Sequence, residues 1–250
     1  MPLKNLRTIL SILSIIILAI VAIVVIGATN HAQAETSLSL TWSTSSFVPP
    51  NYQGKALATQ NSRVYVSALV NQDVKNLKFH WKLDDAWQNF SSGLGRQTFS
   101  FSASQWPGYS HRIYLEASVP GVENDEIIAT ASIEIPVVSP EIHIYQTDPA
   151  KTWPDLFGET GITARLLAGS STRFFALPFY FNIKKPTDLL YRWYLSGQDT
   201  DLSDATKPQV FDLDITPQTV SGVKHEIMLK CNNEVNPLER VILKFNVVVE

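Results

Sequence analysis

Five histidines and one cysteine are the side chains of this 250-residue chain most suited to nucleophilic or general-base work. A nucleophilic triad needs a Ser or Cys beside a His that an acid holds in place. His31, His80, His111, His143 and His225 stand in no such context, and no Gly-x-Ser-x-Gly elbow occurs. His111 and His225 fall at matching points of an internal repeat, which predicts a shared structural role. Cys231 has no second cysteine to bridge with and reads as a buried, inert thiol. The sequence predicts no catalytic residues.

Metal chemistry has one foothold. Asp199-Thr200-Asp201-Leu202-Ser203-Asp204 sets Asp199, Asp201 and Asp204 close enough to wrap a calcium ion. The stretch lacks the glycine and distal glutamate of an EF-hand loop, so a solvated turn is the competing expectation. Scattered His and a single Cys give no zinc spacing. No other cofactor is expected. Asp84-Asp85 reads as an exposed hairpin end, and Asn89-Phe90-Ser91 formally matches a glycosylation sequon.

Aromatic residues offer the other candidate surface. Trp87, Trp106, Tyr109 and Trp153 lie near apparent turns, where large rings serve as anchors for partners or sugars. Trp87, Trp106 and Trp153 are the candidate ligand-binding residues. The competing expectation is that these rings plug the ends of the fold or a junction between domains. Phe179-Tyr180-Phe181 breaks strand alternation with three bulky side chains in a row.

Elements that could position these residues begin with an N-terminal anchor. Lys4 and Arg7 precede an almost wholly apolar run from Ile9 to Ala28, long enough to span a bilayer of about 30 Å. The basic flank predicts a cytoplasmic N-terminus, with the remainder sent across the membrane. A single-pass anchor is the leading expectation. Ala32-Gln33-Ala34 before Glu35 also fits a signal-peptidase site, so release after Ala34 is the alternative. A net charge of -3 and a pI near 6.0 leave no basic stripe for nucleic acid.

Beyond the anchor the chain repeats itself. Leu77-Lys78-Phe79-His80-Trp81-Lys82-Leu83 aligns with Leu189-Leu190-Tyr191-Arg192-Trp193-Tyr194-Leu195. Arg63 to Val66 aligns with Arg173 to Ala176, and Phe99 and Phe101 with Phe211 and Leu213. His111 to Ala117 matches His225 to Cys231, and Ile127 to Ile135 matches Val241 to Val249. Leu38 and Leu40 answer to Ile142 and Ile144. Period-two alternation with Gly and Pro turns predicts two all-β sandwiches, over residues 35–136 and 141–250 after an anchor or signal at 1–34. The proline-bearing joint Ile135-Pro136-Val137-Val138-Ser139-Pro140 predicts a stiff connection.

The Trp81 and Trp193 strands, with the closing strands Ala129 to Ile135 and Leu243 to Val249, resemble tandem immunoglobulin-like or PKD-like sandwich domains of bacterial exported surface proteins. Ala117 and Cys231 stand where an immunoglobulin domain carries its second disulfide cysteine, a departure from that family. Leu40-Thr41-Trp42-Ser43-Thr44 and Phe47-Val48-Pro49-Pro50-Asn51-Tyr52-Gln53-Gly54-Lys55-Ala56 resemble a pattern in exported proteins of small-genome bacterial lineages. These resemblances imply a membrane-anchored surface setting and no set activity. The expected function is non-catalytic interaction with a protein partner in the cell envelope. A carbohydrate-binding module and a spacer subunit of a pilus or secretion apparatus are the alternatives.

Overall fold

The computed structural model describes residues 36–121, 124–152, 163–200 and 206–250. The apolar run Ile9–Ala28 and the Ala32-Gln33-Ala34 site lie outside the described residues, as do Trp153, Asp201 and Asp204. Among the described residues no helix is long and apolar enough to cross a membrane.

The first half contributes β1 (Leu38–Thr44), β2 (Arg63–Val70), β3 (Lys78–Leu83), β4 (Ala86–Trp87), β5 (Gly93–Leu94), β6 (Thr98–Ser102), β7 (Ser110–Val119) and β8 (Glu126–Pro136). Its sheets run β1-β2-β6 and β4-β3-β7-β8, with β5 also laid on β3. The second half contributes β9 (Glu141–Thr147), β10 (Thr163–Leu166), β11 (Ser171–Phe179), β12 (Leu189–Leu195), β13 (Gln198–Asp199), β14 (Val210–Asp214), β15 (Lys224–Asn233) and β16 (Arg240–Val249). Its sheets run β9-β11-β14 and β10-β16-β15-β12-β13. Alternate residues of each sheet pair meet in one core per half, as expected for face-to-face sheets.

The repeat is carried by two tryptophans. Trp81 and Trp193 are fully buried and stack on Phe99 and Phe211, with ring centroids 5.7 and 5.3 Å apart. Each indole N–H donates to a carbonyl in the chain leading to the next strand, Arg96 O at 2.8 Å and Pro208 O at 3.1 Å. The indole therefore buries its ring without orphaning its donor. Both Trp strands then turn through two residues with positive φ, Asp84-Asp85 and Ser196-Gly197, the hairpin geometry that suits strand twist. Ala117 and Cys231 occupy equivalent, fully buried core positions.

One element has no equal in the first half. β10 runs parallel to β16 and drops Ala164 and Leu166 into the second core. Its counterpart is a single parallel bridge, Ala58 to Val137. The chain between β1 and β2 is diverted elsewhere: Ser45 to Ser62 reaches across to the second sandwich as a strap. Phe47 N–H donates to Phe181 O at 2.8 Å, and Tyr180 N–H donates to Phe47 O at 2.6 Å. Val48, Tyr52 and Leu57, with Val138 of the joint, pack on Tyr145, Phe175, Leu177, Phe179, Tyr180 and Val210. Tyr52 meets Phe179 edge-on and its hydroxyl lies 3.0 Å from that of Tyr180. The Tyr52 ring folds over Gly54, where any Cβ would collide with it.

The strap explains the broken alternation of Phe179-Tyr180-Phe181. Tyr180 takes a left-handed φ of 64°, so Phe179 and Tyr180 face the strap while Phe181 enters the second core. All three rings are buried, Phe179 and Tyr180 at the junction and Phe181 in the second core. β2 shows the contrast: its Tyr65 and Leu69, at the places of Phe175 and Phe179, stay about half exposed because nothing among the described residues covers that sheet face.

A polar knot closes the junction. The buried Glu239 carboxylate accepts from Asn182 N–H at 3.0 and 2.9 Å, from Asn233 Nδ2 at 2.7 Å and from Thr59 Oγ1 at 3.3 Å. Asn182 Nδ2 donates to the same carboxylate and to Gln60 O at 3.1 Å, so both halves share it.

Two predictions follow from burial. Trp81→Ala and Trp193→Ala are each expected to cost about 3–5 kcal/mol, through lost transfer energy plus the cavity left behind. Glu239→Ala strands several buried donors and is expected to cost about 2–4 kcal/mol. Urea denaturation of the purified chain checks both. A cost below ~1 kcal/mol for Glu239→Ala would show that the knot closes without its carboxylate.

Candidate functional site

An acid–histidine pair does form, at the end of the first sandwich nearest the joint. Asp84 sits on the β3–β4 turn and His111 opens β7, and the register of β3 against β7 brings the two together. Asp84 Oδ2 lies 2.6 Å from His111 Nδ1, while Asp84 Oδ1 accepts from Arg112 N–H at 2.9 Å. Both residues of the turn are exposed, as expected of a hairpin end, and Asp84 also reaches back with its carboxylate to His111.

The opposite ring nitrogen decides what this pair can do. His111 Nε2 accepts from Ser104 N–H at 3.0 Å and Gln105 N–H at 3.3 Å. A nitrogen accepting from amides carries no proton, so Nδ1 holds the hydrogen and donates to Asp84. A general base needs that second lone pair free to meet a nucleophile. Here it is spent on the backbone, and the ring is wholly buried. The pair pins the β6–β7 loop to the β3–β4 turn. In the second half Ser196 Oγ stands 3.4 Å from His225 Nδ1, the same placement with a weaker partner. The two histidines share a placement, but His225 is only half-buried where His111 is wholly enclosed.

Cys231 is fully buried in the second core, and burial pushes its thiol up to about 12. Burial likewise raises the phenol of Tyr191, its neighbour across the β12–β15 ladder. Asp199 is exposed at the tip of β13 opposite Tyr194. Its expected companions Asp201 and Asp204 lie outside the described residues. Among the described residues no three His, Cys, Asp or Glu side chains gather as metal ligands.

The aromatic candidates divide. β4 and β5 both pair with β3, and Gln88 to Ser92 loop out between them. Ser92 Oγ fastens this loop, accepting from Trp81 N–H at 2.9 Å and donating to Gln88 O at 2.8 Å. On it stand Trp87, 48% exposed, Phe90, which is entirely in solvent, and Leu94, 60% exposed. Trp87 lies opposite Lys82, whose ammonium is 5.3 Å from the ring. Leu94 lies opposite Lys78, so Trp87 and Leu94 share the outward face of the sheet. Trp106 stands on the β6–β7 loop with Tyr109, both more than half exposed. Phe90 and Leu94 were not among the sequence candidates. Phe90 did carry a signal, a bulky ring inside the polar turn Asn89-Phe90-Ser91-Ser92-Gly93.

No protein-family model matches the chain, and no curated protein matches it. Among solved structures it is similar to the fibronectin(III)-like modules of CbhA from Clostridium thermocellum, at 12% identity and a TM-score of 0.27, covering 84% of this chain and 94% of that one. It is similar to the N-terminal Ig1-2 module of the Drosophila receptor protein tyrosine phosphatase DLAR, at 8% identity and a TM-score of 0.28, covering 85% and 99%. A third is SGBP-B of a mixed-linkage glucan utilization locus of Bacteroides ovatus, in complex with a mixed-linkage heptasaccharide, at 10% identity and a TM-score of 0.23, covering 84% and 70%. The sandwich architecture of this chain stands on its own strand pairing.

The buried thiol generates a prediction with a definite sign. The folded state holds the Cys231 proton more tightly than the unfolded chain, whose thiol titrates near an ordinary value of about 8.5. Stability from this group is therefore complete below about pH 8.5 and lost as pH rises toward 12. At pH 8 the native chain is expected to resist Ellman's reagent and to react promptly once unfolded in guanidinium. Prompt reaction of the folded chain would show that the thiol is open to solvent.

Proposed function

We propose that this chain is a non-catalytic, extracytoplasmic binding protein, tethered through Ile9–Ala28, that offers the β4–β5 edge of its first sandwich to a protein partner in the cell envelope. The carrying observation is that Trp87, Phe90 and Leu94, all exposed, stand together on one hydrogen-bonded protrusion. Trp and Phe are the side chains that anchor interfaces when a partner desolvates them. Because the edge loops out at Gln88–Ser92, it presents side chains rather than a straight ladder, and strand addition along it is blocked.

The basic flank Lys4 and Arg7 ahead of the apolar run supports the tether and its orientation. The strap supports a spacer role alongside binding, since it fastens the second sandwich to the first. Trp106 and Tyr109 are the residues on which a glycan-binding role would rest, and a glycan array tests it separately.

A photo-crosslinker at position 90 of the full chain, irradiated in native membranes, is expected to yield one discrete adduct. The same group at position 65, on the bare face of β2, is expected to yield none. Trp87→Ala combined with Leu94→Ala should remove the position-90 adduct, while shifting stability by no more than about 0.5 kcal/mol per exposed site. Equal adducts at both positions would sink the proposal.

A further inference from the structure

The two sandwiches carry the same ladder with different charges on its outward side. In the first, β3 and β7 place His80 opposite Glu116, and Lys78 is ion-paired with Asp125 at 2.6 Å. In the second, the matching position places Arg192 opposite Lys230. Directly opposed residues stand about 5 Å apart, where like charges destabilise a sheet. Arg240 adds a third cation diagonally, on the β16 side of Lys230.

Local neutralisation is slight. Lys244 pairs with Glu226 at 3.0 Å, the Lys230 ammonium lies 4.7 Å over the Tyr194 ring, and Asp199, opposite Tyr194, is an acid diagonal to Arg192 that makes no ion pair with it. Among the described residues Arg192 and Arg240 have no acidic partner within ion-pair distance. This concentration of cations stands out in a chain of net charge -3. Two aliphatic side chains are set among them, Leu190 at 36% and Ile242 at 48% exposure.

We infer that the outward face of β12–β15–β16 is a docking surface for an acidic face of another protein. Charge complementarity identifies the sign of the partner: Arg192, Lys230 and Arg240 form a like-charged cluster that an incoming anion would relieve. Leu190 and Ile242 identify its kind. A protein interface buries aliphatic side chains within a charged rim, whereas a hydrated anionic polymer leaves them wet. This face lies in the other sandwich from Trp87 and does not depend on the contact proposed there. With both in place the chain would bridge two partners.

The test uses the full chain in detergent micelles and a glutamate–tyrosine copolymer as the acidic polypeptide probe. Binding is expected at ~20 mM salt and is expected to fade at ~500 mM as charges are screened. Arg192→Glu with Lys230→Glu should weaken it by about 10-fold or more, whereas Lys75→Glu with Arg96→Glu on the first sandwich should change it by less than about twofold. Lys230→Glu alone restores the arrangement seen at Glu116 and is expected to raise the melting temperature by about 1–3 °C.

Several outcomes overturn the inference. Absent binding at low salt, or equal loss in both double variants, removes the surface. Tighter binding to phosphatidylglycerol vesicles than to the copolymer assigns the face to lipid. Self-association abolished by Arg192→Glu with Lys230→Glu assigns it to a second copy. A fall in melting temperature for Lys230→Glu shows that the opposed cations carry no cost.

Discussion

A carboxylate buried where two domains meet constrains this molecule more than any other group. Glu239 accepts hydrogen bonds from the backbone and side chain of Asn182, from Asn233 and from Thr59, and every one of those donors is neutral. Such a charge is tolerable in a dry place only when its lone pairs are filled with good geometry. Filling them demands that the β1–β2 strap, the Asn182 turn and the β15–β16 loop all stand in one relation. The polar knot therefore fixes direction, and the apolar contacts of Tyr52, Leu57 and Phe179 supply the burial. The result is one compact body over Leu38–Glu250.

Much of the sandwich core was legible in the sequence because strand alternation is a local property. Leu77, Phe79, Trp81 and their counterparts Leu189, Tyr191 and Trp193 announce an apolar face every second residue, and all are buried. Duplication made the pattern readable twice. The strap was not legible in that way. Its residues lack period, and its partner face is recognised only by comparing repeats: Arg173 to Phe181 is nearly continuous in bulky residues, whereas Arg63 to Val70 alternates. A strand apolar on both sides is covered on both sides. The Pro136–Pro140 joint is thus only part of the connection.

The candidate sites were less legible, for reasons of register. Asp84 and His111 are far apart in sequence, and only the pairing of β3 with β7 brings them together. Arg192 and Lys230 look unremarkable until β12 is set against β15. Trp87 is recognisable in sequence as a ring near a turn, but nothing local says that Leu94 returns to the same edge after the chain bulges at Gln88–Ser92. Duplication again supplies the control, since one ancestral ladder shows a balanced surface in one copy and a cationic one in the other.

The exchange of an edge strand for a strap has a mechanical consequence. A pull separating the sandwiches meets three connections in parallel: the covalent joint at Pro136–Pro140, the clasp of Phe47 on Tyr180 and Phe181, and the Glu239 knot. The joint is short, running from the end of β8 straight into β9, so it carries tension between the halves. The clasp lies to one side, where it resists bending and torsion. The clasp's two hydrogen bonds, the rings behind them and the bonds of the knot must all release before the halves can swivel, and the joint still holds afterwards. Such an arrangement transmits torque from one domain to the next as well as tension, which a single flexible linker does not.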